Sequence, residues 1–149
     1  MDELLTDAER QLWHAWKTAS ERVREHVAED IRAATGLSDP DFGILTRLVD
    51  LGGGVLRQNE LGASMGWHRS RLSHQLTRME GRGLVARATV DGGVEVAITT
   101  SGRALVATAR PVHASSVREH LLAHIAGRDA ESLRRLLDGL ADGSTPSGH

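Results

Sequence analysis

The sequence predicts a single, mainly α-helical domain whose β structure is limited to a minimal strand and a short hairpin. Two observations support this. Apolar residues recur at spacings of three and four over most of the chain, as they do on one face of a helix. Two apolar-rich stretches also flank the turn Asp91-Gly92-Gly93, a pattern typical of a β-hairpin. With 149 residues and 40% hydrophobic content, the chain is long enough for one domain with its own core.

The first two helices are expected to begin at recognisable caps. Thr6 and Glu9 fit a capping box, which predicts a helix that ends at Gly36. The stretch 38–41 contains a serine cap and a proline in the first turn, and it predicts a second helix. The three glycines at 52–54 close that helix.

The centre of the chain contains a helix-turn-helix candidate. Val55-Leu56 is a possible minimal strand, and the stretch Gln58–Met65 is a short helix candidate that ends at Gly66. A second helix is expected to begin near His68 and to end near 81–83. Two short helices joined by a tight turn define the helix-turn-helix motif. With the hairpin that follows, the sequence predicts its winged form.

Two more helices are expected towards the C-terminus. Thr99 can cap a long helix that reaches about Ala126 and bends at Pro111, because proline removes one helical hydrogen bond. A last helix is expected from about Asp129, and residues 142–149 are expected to be disordered.

The predicted domain, 1–149, therefore divides into a central unit and flanking helices. The winged helix-turn-helix occupies about 38–99, and the flanking helices occupy about 5–36 and 100–141. Their apolar stripes exceed what the small central unit needs for its own core. A symmetric homodimer is the simplest explanation for this excess.

The segment "WHRSRLSHQLTRM", residues 67–79, concentrates positive charge in an acidic chain. From Trp67 to Arg87 there are five arginines and one acid, hence a net charge of +4 in a chain whose formal net charge is −2. The remainder therefore carries −6. A basic element on an acidic body indicates one surface that faces a polyanion.

On a helical wheel, the same segment separates into two faces. Leu72, Leu76 and Met79 fall within about 60° of one another and form a narrow apolar stripe. The opposite face consists of hydrogen-bond donors without an acid: Ser70, Arg71, Ser73, His74, Thr77 and Arg78. A helix inserted into the major groove of DNA needs this arrangement.

Roles can be assigned within this set. Arg71 is predicted to read guanine, because its planar fork can donate two hydrogen bonds to one base edge. Base contact is also expected from Ser70, Ser73 and His74, and phosphate contact from Arg57, Arg69, Arg78 and Arg87. The complete predicted DNA-binding set is Arg57, His68, Arg69, Ser70, Arg71, Ser73, His74, Thr77, Arg78 and Arg87.

The stretch "ELGASMGWHRSRLSHQLTRMEGRGLVAR", residues 60–87, followed by a wing and "ITTSGRAL", residues 98–105, resembles the multiple-antibiotic-resistance regulator (MarR) family, in its actinobacterial versions. The resemblance implies a homodimeric transcription regulator, most simply a repressor, that binds a pseudo-palindromic operator. It also implies that the wing reaches an adjacent minor groove. A small aromatic effector that releases the DNA is a further implication.

The chain departs from this family in two places. Family wings commonly carry an Asp-x-Arg pattern, but the hairpin tip at 91–95 contains no arginine. The wing is therefore expected to contribute less affinity or to contact only the backbone. Arg57 lies where a small hydroxyl residue often caps the next helix. It cannot act as a cap, although it could meet a phosphate.

Several other functions are disfavoured or left open. Cysteine is absent, which excludes disulfides and thiolate chemistry, and no nucleophile elbow, phosphate-binding loop or carboxylate pair indicates an enzyme. No cofactor and no metal site are expected. Trp13 and Trp16 could line an aromatic effector pocket, although packing in a core or dimer is the simpler interpretation. The N-terminus "MDELLTDAER" lacks the features of a secretory signal, so a cytoplasmic location is expected, without membrane association.

Two alternatives to the DNA-binding regulator remain. The first is a winged-helix module whose basic helix binds an acidic protein partner. The second is a metal-responsive regulator that uses His113, His120 and His124, which recur at spacings of seven and four on the predicted long helix.

Overall fold

The computed structural model describes residues 4–143, which form six α-helices and a three-stranded antiparallel sheet. The helices are α1 Asp7–Thr35, α2 Asp39–Gly52, α3 Gln58–Met65, α4 Arg69–Gly81, α5 Thr100–His120 and α6 Gly127–Asp142. The strands are β1 Val55–Arg57, β2 Val85–Val90 and β3 Gly93–Ile98, in the order β1-β3-β2. The predicted mainly α fold with a hairpin is confirmed.

The predicted capping box at Thr6 is present, and α2 begins with a second one. The Thr6 hydroxyl accepts a hydrogen bond from the Glu9 N–H (3.2 Å), and the Glu9 carboxylate accepts one from the Thr6 N–H (2.7 Å). Ser38 and Asp41 make the equivalent pair at the start of α2. Gly36 ends α1 with φ 75°, a left-handed conformation that glycine adopts without steric cost.

The hydrophobic core lies between α2, the helix-turn-helix and the sheet, and α1 and α5 close it from one side. Its fully buried residues are aliphatic or methionine, as the low aromatic content requires. They include Ile44, Leu45, Leu48, Leu61, Leu72, Leu76, Met79 and Val96. The sheet is held in register by β3, which pairs Arg57 of β1 with Glu95 and Arg87 of β2 with Val96.

The wing is joined to α5 by a tight junction at Thr99. Its hydroxyl donates to the Gly83 carbonyl (2.6 Å) and accepts from the Gly102 N–H (3.0 Å), so it caps α5 as predicted. A Cβ at Gly102 would lie 2.5 Å from the Leu84 carbonyl oxygen. Glycine is therefore required where α5 crosses the end of α4 and the start of β2.

The C-terminal helices differ from the prediction. The helix from Thr99 does not reach Ala126: α5 ends at His120, a 3₁₀ turn covers Leu122–His124, and α6 begins at Gly127. Ile125 and Ala126 are extended (φ −113°, ψ 119° and φ −64°, ψ 143°), so α6 takes its own direction.

The predicted disordered tail is also partly corrected. Asp142 is the last residue of α6, and the part of the tail beyond Gly143 lies outside the described residues. Pro111 lies inside α5, as expected. Within residues 4–143, no helix is both long and apolar enough to cross a membrane.

The two ends of the described chain extend from this body. Every residue from 4 to 19 is exposed, and no residue of α6 is buried. Several exposed side chains at these ends are nevertheless large and apolar. They are Leu4, Leu5, Leu12, Trp13, Trp16, Leu136 and Leu140. We call these two segments, residues 4–19 and α6, the terminal arms.

Candidate nucleic-acid interface

Helix α4 has the two faces that its sequence predicts. Leu72, Leu76 and Met79 are at most 1% exposed and hold the helix against the core. The opposite face is polar. Its exposed residues are His68, Arg69, Ser70, Arg71, His74, Thr77 and Arg78, and Ser73 is half-buried among them.

The buried face of α4 also contains a polar contact that the sequence does not reveal. Gln75 is only 6% exposed, and its amide donates to the carboxylate of Asp41 on α2 (2.7 Å). Asp41, which is 1% exposed, also accepts from Arg82 (2.6 Å) and from the Ser38 N–H (2.9 Å). This carboxylate therefore caps α2 and also binds α4 at two points, Gln75 within the helix and Arg82 at its C-terminal end.

Arg78 is attached to the same network. Its guanidinium donates to the side-chain oxygen of Gln75 (2.7 Å), whose amide nitrogen binds Asp41. The bond uses one of the five N–H donors of the arginine. Arg78 remains exposed at the outer end of the helix, and its orientation is set from below by the buried amide.

Arg71 is stacked on a tryptophan. Its guanidinium carbon lies 3.8 Å from the ring centroid of Trp67, in the turn before α4. Trp67 is half-buried and packs against the core. The stack was not predicted. A cation over an aromatic face contributes about 0.5–1 kcal/mol at an exposed site, and here it holds Arg71 at the start of α4.

Arg87 connects the wing to α4. Its guanidinium binds the Glu80 carboxylate (2.6 Å) and the Thr77 hydroxyl (2.9 Å). Because Glu80 balances its charge, Arg87 fixes the position of β2 relative to α4. The phosphate contact predicted for it is untested.

The exposed basic patch therefore contains fewer arginines than the sequence segment does. Of the five arginines between Trp67 and Arg87, Arg82 is paired with Asp41 and Arg87 with Glu80. The other three, Arg69, Arg71 and Arg78, all lie on the exposed face of α4. The usable positive charge is concentrated where it faces outward.

The first turns of α3 and α4 have no side-chain caps. Arg57 precedes α3 and makes no capping bond, as predicted, and His68 precedes α4 and makes none either. The first turn of α4 also contains no acid. The backbone N–H groups at this end of α4 therefore favour an anion.

An open groove runs beside this end of α4, lined by Gln58, His68, Arg69, Ser70 and Ser73. The side-chain oxygen of Gln58 is buried and has no hydrogen-bond partner within the described part of the chain. Buried polar atoms without a partner are uncommon and call for an explanation. Gln58 was not among the predicted site residues.

The remaining candidates lie away from this surface. Trp13 and Trp16, on α1, are 53% and 46% exposed, so neither packs in the core of its own chain. His113 packs against Phe42 of α2, with ring centroids 5.3 Å apart. His120 stacks on His26 of α1 (4.4 Å).

The three C-terminal histidines do not share one helical face. His124 lies in the 3₁₀ turn after α5, so the predicted spacing of four on one helix is wrong for His120 and His124. Within residues 4–143, no three histidine, aspartate or glutamate side chains are grouped so that they could hold a metal ion.

Together, α3 and α4 form a helix-turn-helix, and β2 and β3 form a hairpin fixed beside α4. These elements define a winged helix-turn-helix protein. No family model and no curated protein matches the sequence.

Solved structures match it over nearly its full length. AbsC, a MarR family transcriptional regulator from Streptomyces coelicolor, has 29% identity and a TM-score of 0.88, with 95% of this chain and 97% of that chain covered. Sco3205, a MarR family regulator from the same organism, solved in complex with DNA, has 25% identity and a TM-score of 0.88, with 99% and 94% covered. The repressor CouR, bound to p-coumaroyl-CoA, has 26% identity and a TM-score of 0.76, with 93% and 98% covered. Over nearly its whole length, the chain is therefore similar in fold to MarR family transcriptional regulators.

Proposed function

We propose that this protein is a homodimeric transcription regulator that binds a pseudo-palindromic DNA operator and acts as a repressor. Helix α4 would be the recognition helix and would enter the major groove. The observation that carries this proposal is the exposed face of α4, on which seven polar side chains and no acid surround a helix anchored by three buried apolar residues. The DNA-bound Sco3205 structure supports it.

Base recognition is assigned to the first half of α4. Arg71 would donate two hydrogen bonds to a guanine, and its stack on Trp67 positions the fork before DNA arrives. Ser70, Ser73 and His74 lie on the same face and would contact neighbouring bases or the backbone between them.

Phosphate contact is assigned to Arg69 and Arg78. Both are exposed arginines of α4 for which the structure shows no carboxylate partner within residues 4–143. His68 and Thr77 lie beside them, and the first-turn N–H groups of α4 add a partial positive charge. Such contacts bind all DNA sequences and make affinity depend on salt.

The dimer is assigned to the terminal arms. The N-terminal arm, residues 4–19, is exposed throughout and includes the first part of α1. Its leucines and tryptophans, with Leu136 and Leu140 of α6, form exposed apolar surface of the kind that marks protein interfaces. A second copy of the chain would bury both arms and place two α4 helices on one face of the duplex, as a palindromic site requires.

We further propose that a small aromatic effector releases the DNA. CouR, a repressor of similar fold, is bound to p-coumaroyl-CoA. Trp13 and Trp16 offer exposed indole rings on α1 on which an aromatic ligand would stack. Titration of candidate phenolic compounds, followed by tryptophan fluorescence and operator release in parallel, tests this assignment. Release without a change in the fluorescence of a Trp67→Phe variant, in which only Trp13 and Trp16 remain, would remove both tryptophans from the effector site.

The decisive experiment is a gel-shift titration on the DNA upstream of the protein's own gene, followed by selection from a random pool. Sequence-selective retardation at physiological salt is expected. Arg71→Ala should cost about 1–3 kcal/mol and relax preference at one base pair per half-site. Arg71→Lys, the matched control, keeps the charge but loses the fork, so it should lose the preference and keep most non-specific affinity.

Arg78→Ala should weaken binding to all sequences and flatten the salt dependence by about one charge. The assignment of α4 to the groove is wrong if Arg71→Ala and Arg78→Ala both bind the selected operator as wild type does throughout a salt titration. If the protein binds acidic proteins but does not retard any DNA, a protein-interaction module is favoured instead.

A further inference from the structure

The tip of the wing contains no basic residue of its own, yet an arginine lies against it. Arg57 belongs to β1, where it pairs across the sheet with Glu95 of β3. From there its guanidinium reaches along the sheet to the hairpin turn and donates to the Asp91 carbonyl (2.8 Å). A cation from a neighbouring strand therefore occupies the wing tip.

The hairpin turn lies against this guanidinium. Gly92 has φ +84°, and a Cβ built on it would lie 3.6 Å from the terminal nitrogen of Arg57. A Cβ on Gly93 would lie 3.9 Å from the same nitrogen. Because both tip residues lack side chains, the guanidinium lies against bare backbone, and the tip is narrow.

Arg57 is also the cation best able to act there. The other wing arginine, Arg87, is held by Glu80 at the opposite end of the hairpin. Within residues 4–143, no carboxylate lies within ion-pair distance of Arg57, and its bond to Asp91 uses one N–H of the five that a guanidinium carries.

The wing tip and the start of α4 face one opening. A cavity of about 450 Å³ is lined on one side by Gly92, Gly93 and Val94, and on the other by Trp67 and Arg69. A duplex held against the start of α4 is therefore also close to the tip. The groove next to an occupied major groove is the minor groove, which is only about 6 Å wide in B-DNA.

We propose that Arg57 enters the minor groove beside each half-site and reads its A·T content. This inference rests on the proposed DNA binding of α4. A·T-rich minor grooves are narrow and have an enhanced negative potential that attracts arginine, whereas the 2-amino group of guanine obstructs the floor of a G·C groove. The Gly92-Gly93 turn places no side chain beside the guanidinium, and the Asp91 carbonyl holds it in place.

The test uses a set of operators that differ only in the base pairs flanking each half-site, which are A·T, G·C or inosine·C. Inosine·C presents the major-groove pattern of G·C but lacks the minor-groove amino group. Wild type is expected to bind the A·T and inosine·C flanks about fivefold or more tightly than the G·C flanks. Arg57→Gln should bind the three flanks equally and keep its preference for the half-site bases.

Two further variants sharpen the result. Arg103→Gln is the matched control, because Arg103 also donates to a turn carbonyl, that of Gly53 (3.2 Å), and has no assigned role in DNA binding; its flank preference should equal that of wild type. Thr89→Arg, added to Arg57→Gln, returns a cation to the exposed end of the hairpin near the tip. It should restore part of the A·T preference. Circular dichroism and thermal unfolding confirm that each variant is folded.

Two outcomes would overturn the proposal while wild type still selects the half-site. If Arg57→Gln weakens all three flanks equally and lowers the salt slope, Arg57 contacts phosphate. If Arg57→Gln changes neither the flank preference nor the salt dependence, Arg57 only holds the turn. A wild type without any half-site selectivity would instead contradict the proposed DNA binding itself, and the same titrations distinguish these cases.

Discussion

The winged helix-turn-helix lobe, from α2 to β3, and the terminal arms use the same kinds of apolar residue in opposite ways. In the lobe, Leu45, Leu61 and Leu76 are 0% exposed. In the arms, Leu12 is 73% and Leu140 64% exposed. The lobe buries these leucines within one chain, whereas the arms leave theirs exposed.

If the arms form the proposed dimer, the two regions depend on different conditions. Stability of the lobe comes from intramolecular packing and the buried Asp41 network. Order in the arms would come from association, and it would therefore vary with protein concentration. Variants that affect one region and not the other test this division.

The largest effect is expected from Leu136→Asp combined with Leu140→Asp. Burial of a leucine contributes about 1.5 kcal/mol or more, so the loss of four leucines per dimer should raise the dissociation constant by roughly 10⁴-fold. Analytical ultracentrifugation should show monomers, and operator binding should be lost. Arg134→Gln with Arg135→Gln changes the charge of α6 by the same amount on its polar face and should leave the dimer intact. If the wild-type protein is itself a monomer, the assignment of the terminal arms to a dimer interface is wrong.

A smaller but local effect is expected from Leu76→Ala in α4. Leu76 is 0% exposed in the core, and truncation of a buried leucine costs about 2–5 kcal/mol, part of it from the cavity left behind. Urea denaturation measures this loss. Leu51→Ala, at a 63% exposed position of α2, is the control and should stay within about 0.5 kcal/mol of wild type. Equal losses of unfolding free energy for the two variants would contradict the assignment of Leu76 to the core and of Leu51 to the surface.

Asp41→Asn tests the polar contact between α2 and α4. It weakens the bonds to Arg82 and Gln75 and should lower the free energy of unfolding by about 1–3 kcal/mol. Asp39→Asn, at an exposed position in the same turn, should cost much less. If the two variants unfold at the same denaturant concentration, the buried carboxylate does not join the helices.

The smallest effect is expected at Glu131 on α6. The hydrogen bond from Arg134 lowers the pKa of Glu131 below its ordinary value of 4.5. A lowered folded pKa means that the stabilisation is present above pH 4.5 and is lost as the pH falls through the folded pKa. Glu131→Gln should therefore be slightly less stable than wild type at pH 7 and equal to it in stronger acid. Denaturation at both pH values measures this, with exposed Glu21→Gln as control. A difference between Glu131→Gln and wild type that persists in acid would contradict the ion-pair explanation.

Local signals predicted most of the fold. The caps at Thr6, Ser38 and Thr99 each depend on residues three positions apart, and the structure confirms them. The buried stripe of α4 follows from helical spacing alone. By contrast, the C-terminal end of α5 was placed six residues too late. The stretch "LLAHIA", residues 121–126, is a good helical sequence, but the structure ends α5 at His120 and continues in a 3₁₀ turn.

The functional surface was predicted less completely, because its finer contacts join distant parts of the chain. Gln75 meets Asp41 across 34 residues, and Arg57 meets Asp91 across the same separation. Neither pair lies in a motif or a helical repeat. A count of charges likewise could not show that Arg82 and Arg87 are internally paired. The residues facing outward were predictable from periodicity, but their partners required the fold.

The stack of Arg71 on Trp67 has a kinetic consequence. A free arginine side chain gives up rotamer entropy worth about 1.5–2 kcal/mol when it becomes ordered. Here Trp67 already restricts Arg71 in the unbound protein, so part of that entropy is lost when the chain folds, before a base is met. Affinity differences between related complexes mostly reside in the dissociation rate. Replacement of Trp67 by leucine should therefore shorten the residence time on the operator more than it slows the association.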